Sequence, residues 1–112
     1  MTAWKRTERA VAGRLGGERT SKAGLGVNAP DVETENWSIE VKHRQSLPVW
    51  LTEAMAQATR NASAGKLPLV VLHESGRRHV DDLVMLRLGD FEQWFGDVPT
   101  PKDDVGPEVR VV

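Results

Sequence analysis

Residues 30–43 read Pro30-Asp31-Val32-Glu33-Thr34-Glu35-Asn36-Trp37-Ser38-Ile39-Glu40-Val41-Lys42-His43. From Trp37 on, apolar and polar residues alternate, the period of a half-buried strand. Trp37, Ile39, Val41 and His43 fall on one face; Ser38, Glu40 and Lys42 fall on the other. Glu35-Asn36 is the natural two-residue turn between this arm, 37–43, and the shorter arm 30–34. With that turn, paired residue numbers add to 71, and Asp31 is expected opposite Glu40. Opposed residues share a face, with Cβ atoms roughly 5 Å apart. Lys42 is expected on that face too, two residues further along.

Two carboxylates so close repel unless a cation or proton lies between them. An acidic-x-Lys triplet alone carries no weight, since 16 acidic residues and a few lysines in 112 positions produce about 0.7 by chance. The hairpin context gives it meaning. Oxygen ligands from one or two carboxylates suit Mg²⁺, which keeps most of its waters. A neighbouring lysine can orient a metal-bound water or offset charge on a phosphate. The structural alternative is an exposed sheet face with a salt bridge worth at most about 1 kcal/mol.

Outward from the hairpin, residues 3–15 form an amphipathic helix by periodicity, with Thr2 as N-cap and Gly16-Gly17 as stop. Trp4, Val11 and Leu15 make its inner stripe, and Glu8 falls within it, an inward carboxylate that needs a reason. Residues 18–30 are expected as a short strand or irregular loop. Pro48 opens a second helix to about residue 64, with Leu51, Ala54, Met55, Ala58 and Ala62 on its packed face and Gly65 at its end. The apolar run 67–73 is expected as a buried strand, 74–78 as a turn and 83–88 as another strand. Asp90 caps a brief helix over 91–95, ended by Gly96. This order implies an α/β (mixed α+β) domain over residues 1–96, a mixed sheet flanked by helices. Residues 97–112, acidic and Pro-containing, are expected as a tail, with an edge strand at 109–112 as an option.

The net charge of −1 conceals an asymmetry. Residues 1–22 carry six Lys or Arg against two Glu, whereas residues 90–112 carry two basic and six acidic side chains. There is no cysteine, which excludes disulfides, thiolate metal sites and cysteine nucleophiles. No apolar run suggests a membrane span and the N-terminal stretch lacks a secretory h-region, so an intracellular, cytoplasmic protein is expected. The triplets at Asn36 and Asn61 then carry no glycan. Gly24-x-Gly26 lacks the flanks of a nucleotide loop. His43, His73 and His79 show no zinc spacing, and His43, on the face away from the carboxylates, is read as structural.

Pro30-Asp31 followed by Glu40-Val41-Lys42 resembles the signature of PD-(D/E)xK nucleases. Glu8-Arg9 and Gln57-Ala58 extend the similarity to the archaeal-type Holliday junction resolvases, over roughly residues 4–95. The resemblance implies a restriction endonuclease-like fold and Mg²⁺-dependent hydrolysis of four-way DNA junctions, with Mn²⁺ able to substitute. It implies metal binding by Asp31, Glu40 and the Val41 carbonyl, with Lys42 as catalytic lysine and Glu8 as a further acidic group. Ser21 corresponds to the family's loop serine or threonine, with Thr20 beside it. Phosphate contacts fall to Lys5, Arg6, Arg9, Arg14, Arg19, Lys22, Arg44, Arg77 and Arg78. A two-fold homodimer would match the junction's symmetry, with Phe91, Trp94 and Phe95 as apolar interface candidates. The competing readings are a flap, single-strand or restriction-type nuclease, a non-catalytic DNA-binding module on the same fold, and a host-interaction factor with a coincidental motif.

Overall fold

A computed structural model describes residues 2–20 and 29–96. Ser21, Lys22, Gly24, Gly26 and the tail 97–112 lie outside the described residues. The elements run α1 (Ala3–Leu15), β1 (Glu18–Arg19), β2 (Val32–Glu33), β3 (Ser38–Ile39), α2 (Val49–Asn61), β4 (Val70–Leu72), a 3-10 turn (His79–Asp81), β5 (Leu83–Met85) and α3 (Leu88–Phe95). The class is mixed α and β, as expected. In place of one mixed sheet, the described residues form two antiparallel sheets, β1-β2-β3 and β4-β5. Their strands are two or three residues long, too short for a continuous sheet. Within the span expected as one domain, the chain gathers into two compact units, one including Met1–His43 and the other spanning Arg44–Trp94.

The first unit is α1 packed on the three-stranded sheet. The helix has the expected bounds, and its end is set by glycine chemistry. Gly16 takes a left-handed φ of 74° and its N–H donates to the Ala12 carbonyl, which accepts the Gly17 N–H as well at 2.9 Å, the bonding of a glycine-ended helix. Gly17 has a second reason to be glycine: a Cβ there would lie 2.5 Å from the Glu33 carbonyl oxygen. Arg19 pairs with Val32, and Val32 with Ile39, so these three share one face, which looks toward α1. Glu18, Glu33 and Ser38 share the exposed face. Val32 is fully buried, with Ala12 and Leu15 of α1 around this small core.

The buried face of α1 is Glu8, Ala12 and Leu15, so the expected stripe is corrected at two places: Ala12 is buried where Val11 was expected, Val11 being half-buried, and Trp4 falls outside the buried face. Trp4 is exposed and carries the Lys5 ammonium 5.4 Å from its ring centroid.

In the second unit, Pro48 stands at the N-cap of α2 with φ −53°, and its carbonyl accepts from the Leu51 and Thr52 amides at 3.0 and 3.3 Å. The helix ends at Asn61, earlier than expected, because residues 63–66 close a turn, Lys66 N–H to Ser63 carbonyl at 3.1 Å, with Gly65 at φ 83°. Met55 is the buried centre of the α2 face. The strand expected to be buried on both sides is instead half-covered: α2 packs against β4, while Val71 remains 58% exposed. A two-stranded ribbon with one helix on it covers only one of its faces. α3 begins at Leu88, so Asp90 sits in its first turn and does not cap it. Trp94 and Phe95 are exposed. No helix among the described residues is long and apolar enough to cross a membrane.

Candidate functional site

The hairpin forms in the register that the turn demands. Val32 pairs with Ile39 and Glu33 with Ser38, and each pair adds to 71. The turn is built by Thr34. Its hydroxyl oxygen accepts from the Asn36 and Trp37 amides at 3.2 and 2.9 Å, while its own N–H donates to the Trp37 carbonyl at 3.0 Å. A threonine thus closes the two-residue loop locally.

At the open end the ladder departs from simple alternation. The Asp31 N–H donates to the Ile39 carbonyl at 3.0 Å, one residue off the register of the pairs above it. The Asp31 carboxylate then accepts the Val41 N–H through Oδ2 at 2.8 Å. Asp31 is consequently buried, whereas Glu40, expected directly opposite, is exposed. The structure therefore brings Asp31 against the peptide joining Glu40 to Val41, with Lys42 exposed one residue beyond. The Pro30-Asp31 segment is held from the other side as well. Thr20 donates from its hydroxyl to the Pro30 carbonyl and from its N–H to the Asp31 carbonyl at 3.0 Å.

Glu8 is inward, as its periodicity implied, and only 6% exposed. Its Oε1 receives Arg19 Nε at 2.6 Å. The arginine assigned to phosphate contact thus neutralises the buried carboxylate, as a charge removed from water requires. Glu8 does not join Asp31 and Glu40 in a compact acidic triad. Among the described residues, the group of three potential metal ligands within 4.8 Å of one another is His73, His79 and Asp82. Sequence reading missed it by asking for zinc spacing anchored on cysteines. The legible signal was His73 and Asp82 standing one step beyond the Leu72–Leu83 pair, with His79 between them.

The remaining basic candidates are dispersed. Arg6, Arg9, Arg14, Lys42 and Arg44 are exposed. Arg77 and Arg78 lie 3.9 and 3.5 Å from Glu74 and Asp81, exposed ion pairs of little energetic weight. His43 has a structural contact, as expected: its Nδ1 lies 2.8 Å from the Thr7 hydroxyl on α1, tying the segment after β3 to the helix.

The three groups expected to hold the metal match a hard divalent cation in donor type. Asp31, Glu40 and the Val41 carbonyl offer only oxygen, and Asp31 is already fixed on the motif's backbone. Compared with protein-family models, with curated proteins and with solved structures, the chain matches none.

Proposed function

We propose that this chain is a metal-dependent DNA endonuclease of the PD-(D/E)xK type with a restriction endonuclease-like fold, acting on four-way junctions as a homodimer. The observation that carries the reading is the seat of Asp31. A buried carboxylate bonded at 2.8 Å to the Val41 amide brings the acidic residue of one arm to the Glu40-Val41-Lys42 segment of the other. An exposed surface salt bridge has no need of that burial.

In this reading Asp31, Glu40 and the Val41 carbonyl hold Mg²⁺. When bound, the ion supplies Lewis acidity at the scissile phosphate. Lys42 stands exposed three residues beyond β3, where its ammonium can orient the attacking water and offset charge that builds on the phosphate oxygens. Thr20 and Val41 keep Asp31 in place through their bonds to it. Glu8 acts as a positioning residue, holding Arg19 and with it β1 against α1. Shape and backbone contacts suffice for a junction, which presents phosphates in a fixed geometry and needs no base readout. Its approximate two-fold symmetry matches two copies of one site.

The test is cleavage of a labelled four-way junction beside a linear duplex and a flap, with Mg²⁺ and with chelator, using the wild type and Glu40→Gln. Paired symmetric nicks confined to the junction, lost in both controls, are the expected result. Equal cutting of the linear duplex reduces the proposal to a general nuclease, and absence of any cutting overturns it.

A further inference from the structure

The tip of the β4–β5 hairpin carries a second constellation, of different chemistry. His73 follows β4 directly, His79 opens the 3-10 turn and Asp82 ends it. His73 Nδ1 lies 2.6 Å from Asp82 Oδ1, and His79 Nδ1 lies 3.1 Å from Asp82 Oδ2. The two imidazoles stack with centroids 4.3 Å apart and planes inclined by 29°. The carboxylate they share is withdrawn from solvent, its side chain only 12% exposed, while His79 is 84% exposed.

We propose that His73, His79 and Asp82 bind a borderline divalent transition-metal ion, with Zn²⁺ as the representative case. Two imidazole nitrogens and one carboxylate oxygen form a donor set that suits zinc and its neighbours and not Mg²⁺. Donor atoms sharing one tetrahedral zinc, at bond lengths of roughly 2.0–2.1 Å, lie about 3.3 Å apart. His73 Nδ1 lies 2.6 Å from one Asp82 oxygen and His79 Nδ1 3.1 Å from the other, and one ligand atom from each residue lies within 4.8 Å of the rest, which puts the three donors within reach of one ion. The ligands are held before any ion arrives. His73 and Asp82 extend the strand register by one step beyond Leu72–Leu83, and His79 is fixed by the turn in which the Asp82 N–H donates to its carbonyl at 3.0 Å. Gly76, at φ 87°, lets the connection fold back. His73 and Asp82 line an open cleft of about 320 Å³ together with Trp50 and Arg77, so the site is reachable from solvent.

Such an ion would staple a ribbon whose strands are only three residues long, and two-stranded hairpins are marginal without support. The proposal is independent of the nuclease reading, since the donors differ in element, place and preferred metal.

The test uses the full chain freed of metal, titrated with Zn²⁺ by calorimetry and with Co²⁺ by visible absorption. Expected are one saturable site, a tetrahedral Co²⁺ spectrum and a higher unfolding midpoint in Zn²⁺. His79→Ala is the decisive variant, because so exposed a side chain is dispensable for folding. Its affinity should fall by more than the roughly 10–100-fold that loss of an outer-sphere partner costs. His73→Ala should behave alike, with circular dichroism confirming the fold. Glu40→Gln should bind Zn²⁺ as the wild type does, which separates this site from the nuclease proposal. Absence of saturable binding, or affinity unchanged in both histidine variants, overturns the inference.

Discussion

Replacing Arg19 by methionine should destabilise the protein far more than neutralising its partner Glu8. The asymmetry follows from burial. Glu8 has 8% of its side chain exposed and Arg19 26%, at an N–O separation of 2.6 Å. Removing one member of a buried pair costs about 3–5 kcal/mol, because the survivor's charge is left without compensation. Water reaches this pair from the arginine side, which lowers the expectation for Arg19→Met to about 2–3 kcal/mol. Methionine keeps much of the apolar stem, so the loss reports charge and not packing. Glu8→Gln retains an acceptor for Arg19 Nε and lets the arginine turn outward, costing about 1 kcal/mol. The double variant Glu8→Leu/Arg19→Met should lie within about 1 kcal/mol of the wild type, since an apolar pair needs no compensation. Urea unfolding followed by circular dichroism reads these values as midpoint shifts at constant slope. The corresponding loss in melting temperature for Arg19→Met is roughly 8–16 °C. Equal costs for the two single variants, or less than about 0.5 kcal/mol for Arg19→Met, would refute the reasoning and show a pair screened by solvent.

Two other outcomes follow from the same unit. Gly17→Ala should cost about 1–3 kcal/mol, because its Cβ would meet the Glu33 carbonyl at 2.5 Å, whereas Gly13→Ala, with nothing within 4 Å, should stabilise α1 by roughly 0.5–1 kcal/mol; opposite signs in thermal melts are the check. Asp31→Ala should cost about 1–3 kcal/mol by stranding the Val41 N–H, while Asp31→Asn keeps an acceptor oxygen there, stays close to wild-type stability and, on the nuclease proposal, abolishes junction cleavage.

What the sequence by itself determined was local. The bounds of α1 at both ends, the place of the 35–36 turn, the pairing of Val32 with Ile39 and the inward direction of Glu8 all rest on short-range rules. Helical period, glycine at a helix end, proline at a helix start and alternation along a strand act within a few residues. Tertiary structure decided who meets whom. Arg19 reaches Glu8 because β1 pairs with β2 and so places Arg19 on the face of Val32; eleven positions of chain and a strand pairing stand between that contact and any periodic signal. Asp31 turned into the Val41 amide because its own N–H shifted to the Ile39 carbonyl, a local slip that counting register pairs does not reveal. The division into two small sheets, the exposure of Val71 and the meeting of His73, His79 and Asp82 were likewise settled by which faces found cover. Side-chain period says which residues share a face, but partners and solvent exposure depend on what packs against that face, and packing is a property of the whole chain.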